Sequence, residues 1–141
     1  TDCEYGITVD KVNVLENAGC TIINVKTAIT AKTLELSGKL TITDTTGSAI
    51  ILSDSAEAIT FTDASVLTIS STNKVEIAAI NMSSFNNLIT LKGEINISGY
   101  TYGFYTEASG QYKAETENFI FNEKSGYQKR SSALKGFSSA A

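Results

Sequence analysis

KLTITDTTGSAIILSDSAEAITFTDASVLTISS, residues 39–71, carries one short phrase twice. Leu40-Thr41-Ile42-Thr43-Asp44 returns, at an interval of 19, as Ile59-Thr60-Phe61-Thr62-Asp63. In both copies apolar residues alternate with threonines, and a period of two puts them on opposite faces of a strand. After the first polar corner Ile50 and Leu52 alternate with Ile51 and Ser53, and after the second, shorter corner come Leu67 and Ile69. Two short strands per block, small polar corners and a block length near 18 predict one coil of a β-solenoid. In such a stack the backbone groups of each coil pair with the coils above and below, about 4.8 Å away.

Extended outward, the blocks begin at Cys3, Cys20, Lys39, Ala58 and Val75, at spacings of 17, 19, 19 and 17. A unit this short buries its apolar face only against its neighbours, so a repeat is physically required. The composition agrees. Ser and Thr together make 34 of the 141 residues, Ile and Val are frequent, and Pro, which would remove a ladder donor, is absent. The reading is all-β: a β-solenoid with coils of about 17–19 residues, with a β-sandwich as the alternative. Asn-Gly and Asp-Gly, the usual hairpin turns of a sandwich, do not occur.

Cys3 and Cys20 stand at a spacing of 17, at matching places in consecutive blocks. Stacked at that interval, their Cα atoms would meet the separation of about 4.4–6.8 Å that a disulfide requires. The expectation is a Cys3–Cys20 bridge stapling the first coil.

Beyond Val75 the repeat loosens, and Gly93 marks a candidate bulge. Nine of the twelve aromatic residues stand at or after Tyr100. Tyr100, Tyr102 and Phe104 alternate as one strand face, Phe119 and Phe121 as another, with a turn between them around Glu107 to Gly110. This predicts a C-terminal antiparallel hairpin that covers the open end or packs along the side. The chain thus reads as one β-rich domain over 1–126, with repeat coils over 3–99 and an aromatic hairpin over 100–126. A short basic, Ser/Ala-rich tail follows over 127–141.

Charge narrows the function classes. Residues 1–126 hold eight Lys against fifteen acids, and only Lys129, Arg130 and Lys135 in the tail offset them. Nucleic acid is not the expected partner of such a body, since phosphate recognition needs clustered cations. No apolar run is long enough for a bilayer-spanning helix, so membrane insertion is not expected. A start at Thr1, with low charge and abundant Ser and Thr, leans toward a secreted protein whose signal peptide has been removed. The expected location is extracellular or at a cell surface.

Chemistry is sparse. With no His, one Arg and the two cysteines expected to pair, no catalytic residue is assigned and enzyme activity is not expected. Asp44 and Asp63 should stack at one corner, and Glu115 and Glu117 share a strand face. Neither pair has the spacing of a calcium loop, and corner aspartates ordinarily cap local amides, so no metal or cofactor is assigned. Asn81-Met82-Ser83 and Asn96-Ile97-Ser98 match the N-glycosylation acceptor pattern, at a frequency expected by chance in so polar a chain.

Thr41, Thr43, Thr60 and Thr62 would form a flat hydroxyl array. This Thr-x-Thr pattern resembles that of ice-binding β-solenoids over two blocks, and implies ice binding as a third reading. It departs from that pattern at Ile22-Ile23-Asn24 and Glu76-Ile77-Ala78. The leading reading is a structural or adhesive subunit whose main partner is itself, as a homo-oligomer or filament. Its candidate contacts are Ile7 and Val9 on an alternating N-terminal strand, with Tyr100, Tyr102 and Phe104 on the aromatic face. The alternative is a monomeric module binding carbohydrate or another cell surface through those rings, aided by Glu107, Gln111 and Lys113.

Overall fold

The computed structural model describes residues 3–126 and 130–140. The chain winds as a three-sided β-solenoid. Its first coil consists of β1 (Cys3–Thr8), β2 (Lys11–Val14) and β3 (Gly19–Ile23); its second of β4 (Val25–Ala31), β5 (Thr33–Leu36) and β6 (Lys39–Thr43). The third contains β7 (Ile50–Leu52), β8 (Ile59–Phe61) and the start of β9 (Val66–Asn81). The fourth takes the rest of β9, then β10 (Leu88–Leu91) and the start of β11 (Glu94–Ala114). The remainder of β11 and β12 (Phe119–Glu123) complete the fifth. A helical turn, α1 (Arg130–Ala133), then leads into β13 (Leu134–Ser139).

Every ladder among the described residues is parallel. The first side stacks β1, β4, β7, the second half of β9, the middle of β11 and the start of β13. The third side stacks β3, β6, the first half of β9, the start of β11 and β12. On the second side β2, β5 and β8 form one ladder, while β10 and the end of β13 pair with the end of β11.

The expected solenoid is present, with three corrections. Its coils are longer than the sequence blocks: Gly19 pairs with Lys39 and Ile50 with Ile80, intervals of 20 and 30. The two copies of the opening phrase therefore do not stack. Leu40 pairs with Cys20 and Leu67 on the third side, whereas Ile59 pairs with Leu34 on the second. An interval of 19 carries the chain around two sides of the triangle instead of three.

The C-terminal segment is not an antiparallel hairpin. Ile95 pairs with Phe119 and Phe104 with Leu134, both in parallel, so residues 94–123 continue the winding. Part of the expected tail is also built in, because β13 pairs along β11 from Phe104 to Tyr112; residues 127–129 lie outside the described residues.

Parallel register aligns like with like. Ile22, Ile42, Ile69, Ile97 and Phe121 form one inward column, and Cys20, Leu40, Leu67, Ile95 and Phe119 another. On the first side the column is Ile7, Ile29, Ile50, Ile80, Phe104 and Leu134. The middle members are fully buried. Each such side chain stabilises the fold by about 1.5–3 kcal/mol. One corner shows how tightly coils approach. Gly99 has φ +90°, and a Cβ there would lie 2.0 Å from the Ser71 carbonyl oxygen, so only glycine fits.

Candidate functional site: the open ends of the solenoid

The two ends differ from the middle in a consistent way. At the N-terminal end the column members Ile7, Val12, Cys20 and Ile22 are only partly buried, with no coil beneath them among the described residues. Beside them Val9, Leu15 and Ile23 are 47%, 63% and 54% exposed. Among the described residues, the outer edges of β1, β2 and β3 have no partner strand. Their backbone donors and acceptors on that edge are available to another strand.

At the C-terminal end the fifth coil is complete, and among the described residues the sixth is filled on two sides only. β13 covers the first and second sides, through Leu134 on Phe104 and Phe137 on Gly110. Among the described residues, no strand covers β12 on the third side. The result is a cleft of about 920 Å³ lined by Tyr112, Phe119, Phe121, Ala133, Leu134 and Phe137. Phe119, Tyr112, Leu134 and Phe137 are half-buried there, like the column members at the other end.

The expected contact residues divide. Ile7 and Val9 lie at the N-terminal end as anticipated, Ile7 half-buried at the foot of its column and Val9 exposed. Tyr100 and Phe104 do not serve as surface contacts, because both are fully buried. The Tyr100 hydroxyl lies 2.6 Å from Thr45 Oγ1, and Ser71 Oγ donates to the Thr45 carbonyl at 2.9 Å. Burial pushes the Tyr100 phenol up to about 12. This is an internal knot between corners. The ladder register shifts between Tyr100 and Tyr102, and Tyr102 lies half-exposed, stacked on Tyr105 at 5.7 Å between ring centroids with Lys135 Nζ 5.9 Å from its own.

Cys20 is a free thiol. The Cys3 side chain lies outside the described residues, but the backbone register does not stack the two cysteines. Cys3 pairs with Val25 on the first side and Cys20 with Leu40 on the third. An interval of 17 falls short of a full coil, so the expected stacking does not arise.

The polar expectations also change. Asp44 accepts from the Thr72 amide and hydroxyl, and Asp63 follows a strand on another side. Glu115 pairs with Lys92 and Lys113. Among the described residues no group of three or more His, Cys, Asp or Glu is placed to hold a metal ion. Glu107 accepts from the Tyr105 hydroxyl, while Gln111 and Lys113 belong to the second-side strand, so the three do not converge beside Tyr102.

Thr41 and Thr43 do form part of an array, with different neighbours from those expected. On the outward face of the third side, Thr21, Thr41, Thr68, Asn96 and Ile120 form one column. Ile23, Thr43, Ser70, Ser98 and Asn122 form the next. None of the ten is charged. The register that would have found them pairs Thr41-x-Thr43 with Thr68-x-Ser70, at an interval of 27 instead of 19.

No protein-family model, curated protein or solved structure matches the chain. The class of the protein, a parallel three-sided β-solenoid, rests on its own ladders.

Proposed function

We propose that this chain is a structural subunit that associates end to end with copies of itself, in an extracellular or cell-surface fibre. The observation that carries this reading is the state of the two ends. Each presents strand edges without a partner among the described residues, and each leaves apolar column members half-covered, Ile7, Cys20 and Ile22 at one end and Phe119 and Leu134 at the other, although Phe121 is already buried. Parallel edges of this kind pair with another strand by backbone hydrogen bonds, and apolar columns continued across the joint bury the exposed members.

Negative-stain electron microscopy across a concentration series tests the reading directly. Rods that lengthen with concentration are expected. Discrete particles of one length at every concentration would mean that the ends are not interfaces.

The two uncharged outward columns of the third side, flanked by a third that carries Lys39 and Glu94, support a second reading, attachment to an ordered, uncharged surface, of which ice is the case implied by the Thr-x-Thr resemblance. Its test is thermal hysteresis of the intact protein against a Thr41→Lys/Thr68→Lys variant. Equal freezing behaviour of the two would remove it. A carbohydrate-binding module has less to draw on, since of the three rings on the expected aromatic face only Tyr102 reaches the surface, beside Tyr105.

A further inference from the structure

Among the described residues the sixth level is filled on two of the three sides, and the third has a definite shape. β13 occupies the sixth level of the first and second sides, while the third side ends one level lower, at β12. The cleft of about 920 Å³ is that vacant level. Its floor is the outer edge of β12 and its walls include Ala133, Leu134 and Phe137.

We propose that β1 of a second copy fills this level, joining successive subunits with a rotation of one-third of a turn. The proposal rests on the end-to-end reading above and specifies its joint. Three rotations stack one three-sided solenoid head to tail on another: by no side, by one side or by two, and the last, like the first, leaves the third-side level empty. If like sides are superposed, β1 of the second copy meets β13 on the first side and β2 meets it on the second. The third side then keeps an empty level between β12 and the incoming β3. If the second copy is turned by one side, β1 lies on β12, β2 follows on the first-side part of β13, and β3 on its second-side part. The winding then continues without a gap, and each edge meets an edge running in the same direction.

Strand length and side-chain order agree with this placement. β1 spans Cys3–Thr8 and β12 spans Phe119–Glu123. With Ile7 over Phe121, the half-buried foot of the first-side column continues the third-side column that Phe121 ends. The same register sets the outward Thr8 beside Asn122. It also carries Asp10, just past β1, over Lys124, directly beyond β12. Lys124 already pairs with Glu76 at 3.4 Å, so the incoming acid joins an existing ion pair.

Disulfide trapping in a Cys3→Ser/Cys20→Ser background reads the joint. Two double variants share the outward Thr8→Cys change and leave the apolar columns intact. Thr8→Cys/Asn122→Cys reports the rotated joint. Thr8→Cys/Lys135→Cys reports the superposed one, because Lys135 ends the first-side column that Thr8 begins. Each is oxidised at concentrations where rods form, run on a non-reducing gel and imaged in parallel. Covalent multimers from the first and monomers from the second are expected. Multimers from the second, alone or as readily as from the first, would overturn the rotated joint while leaving end-to-end assembly in place. Rods without cross-links from either variant would also overturn it. Monomers and no rods in either case would remove both the joint and the assembly on which it rests. Helical reconstruction gives an independent check: five and two-thirds coils at ~4.8 Å per rung predict a rise of about 27 Å per subunit.

Discussion

The middle of this solenoid and its two ends contain the same kinds of residues in the same columns, yet they hold them differently. Leu40, Ile42, Leu67 and Ile69 are completely buried, whereas Cys20 and Ile22 below them and Phe119 above are not. The inward direction is common to all seven. What differs is the number of neighbouring coils, two in the middle and one at an end. Burial in a stack is therefore a property of the neighbours as much as of the side chain.

Four experiments break or sharpen that contrast. The largest effect is expected in the middle: Leu67→Ala should cost about 2–5 kcal/mol of unfolding free energy, read from the urea midpoint. Tyr100 comes next. Its phenol titrates higher in the folded chain than in the unfolded one, so the neutral form is the one that the fold favours. That contribution is fully present below about pH 10, the ordinary tyrosine value, and is lost as pH rises toward the folded value. Its size is on the order of 2 kcal/mol. Urea midpoints along that alkaline range should fall more steeply in the parent than in Tyr100→Phe.

At the ends the effects on the monomer shrink. Ile22→Ala, in the same column as Ile69 but with only one coil against it, should cost about 1 kcal/mol. A loss as large as that of Leu67→Ala would mean that the first coil is covered. The smallest change in monomer stability, within about 0.5 kcal/mol, is expected for the exposed Val9→Asp. That variant should nonetheless lose assembly, checked by light scattering over the same concentration series. Full assembly by Val9→Asp would exclude this edge from the joint.

Much of the architecture was legible residue by residue. Leu40, Ile42, Ile50, Leu52, Leu67 and Ile69 stand at alternate positions in their strands, with threonines or the outward Ile51 between them, and all six face inward. The location of the candidate site was half legible. Ile7 and Val9 stand at an open edge, but the cleft over β12 was not visible, because Phe119 and Phe121 read equally well as part of a hairpin. Tyr100 and Tyr102 were misjudged together for a related reason. They alternate in sequence, yet a register shift in the ladder separates them, one into the core and one to the surface.

By itself the sequence determined that the chain is β, that its strands are short and which side chains alternate inward, since strand periodicity is local and needs only neighbours in the chain. Tertiary structure alone decided how many sides a coil has and which strands stack, and so where the cysteines lie and where the cleft over β12 opens. The corners vary in length, and coils as unequal as Gly19 to Lys39 and Ile50 to Ile80 share the same alternation. Register is therefore chosen by which columns pack between coils far apart in sequence, and no local pattern encodes that choice.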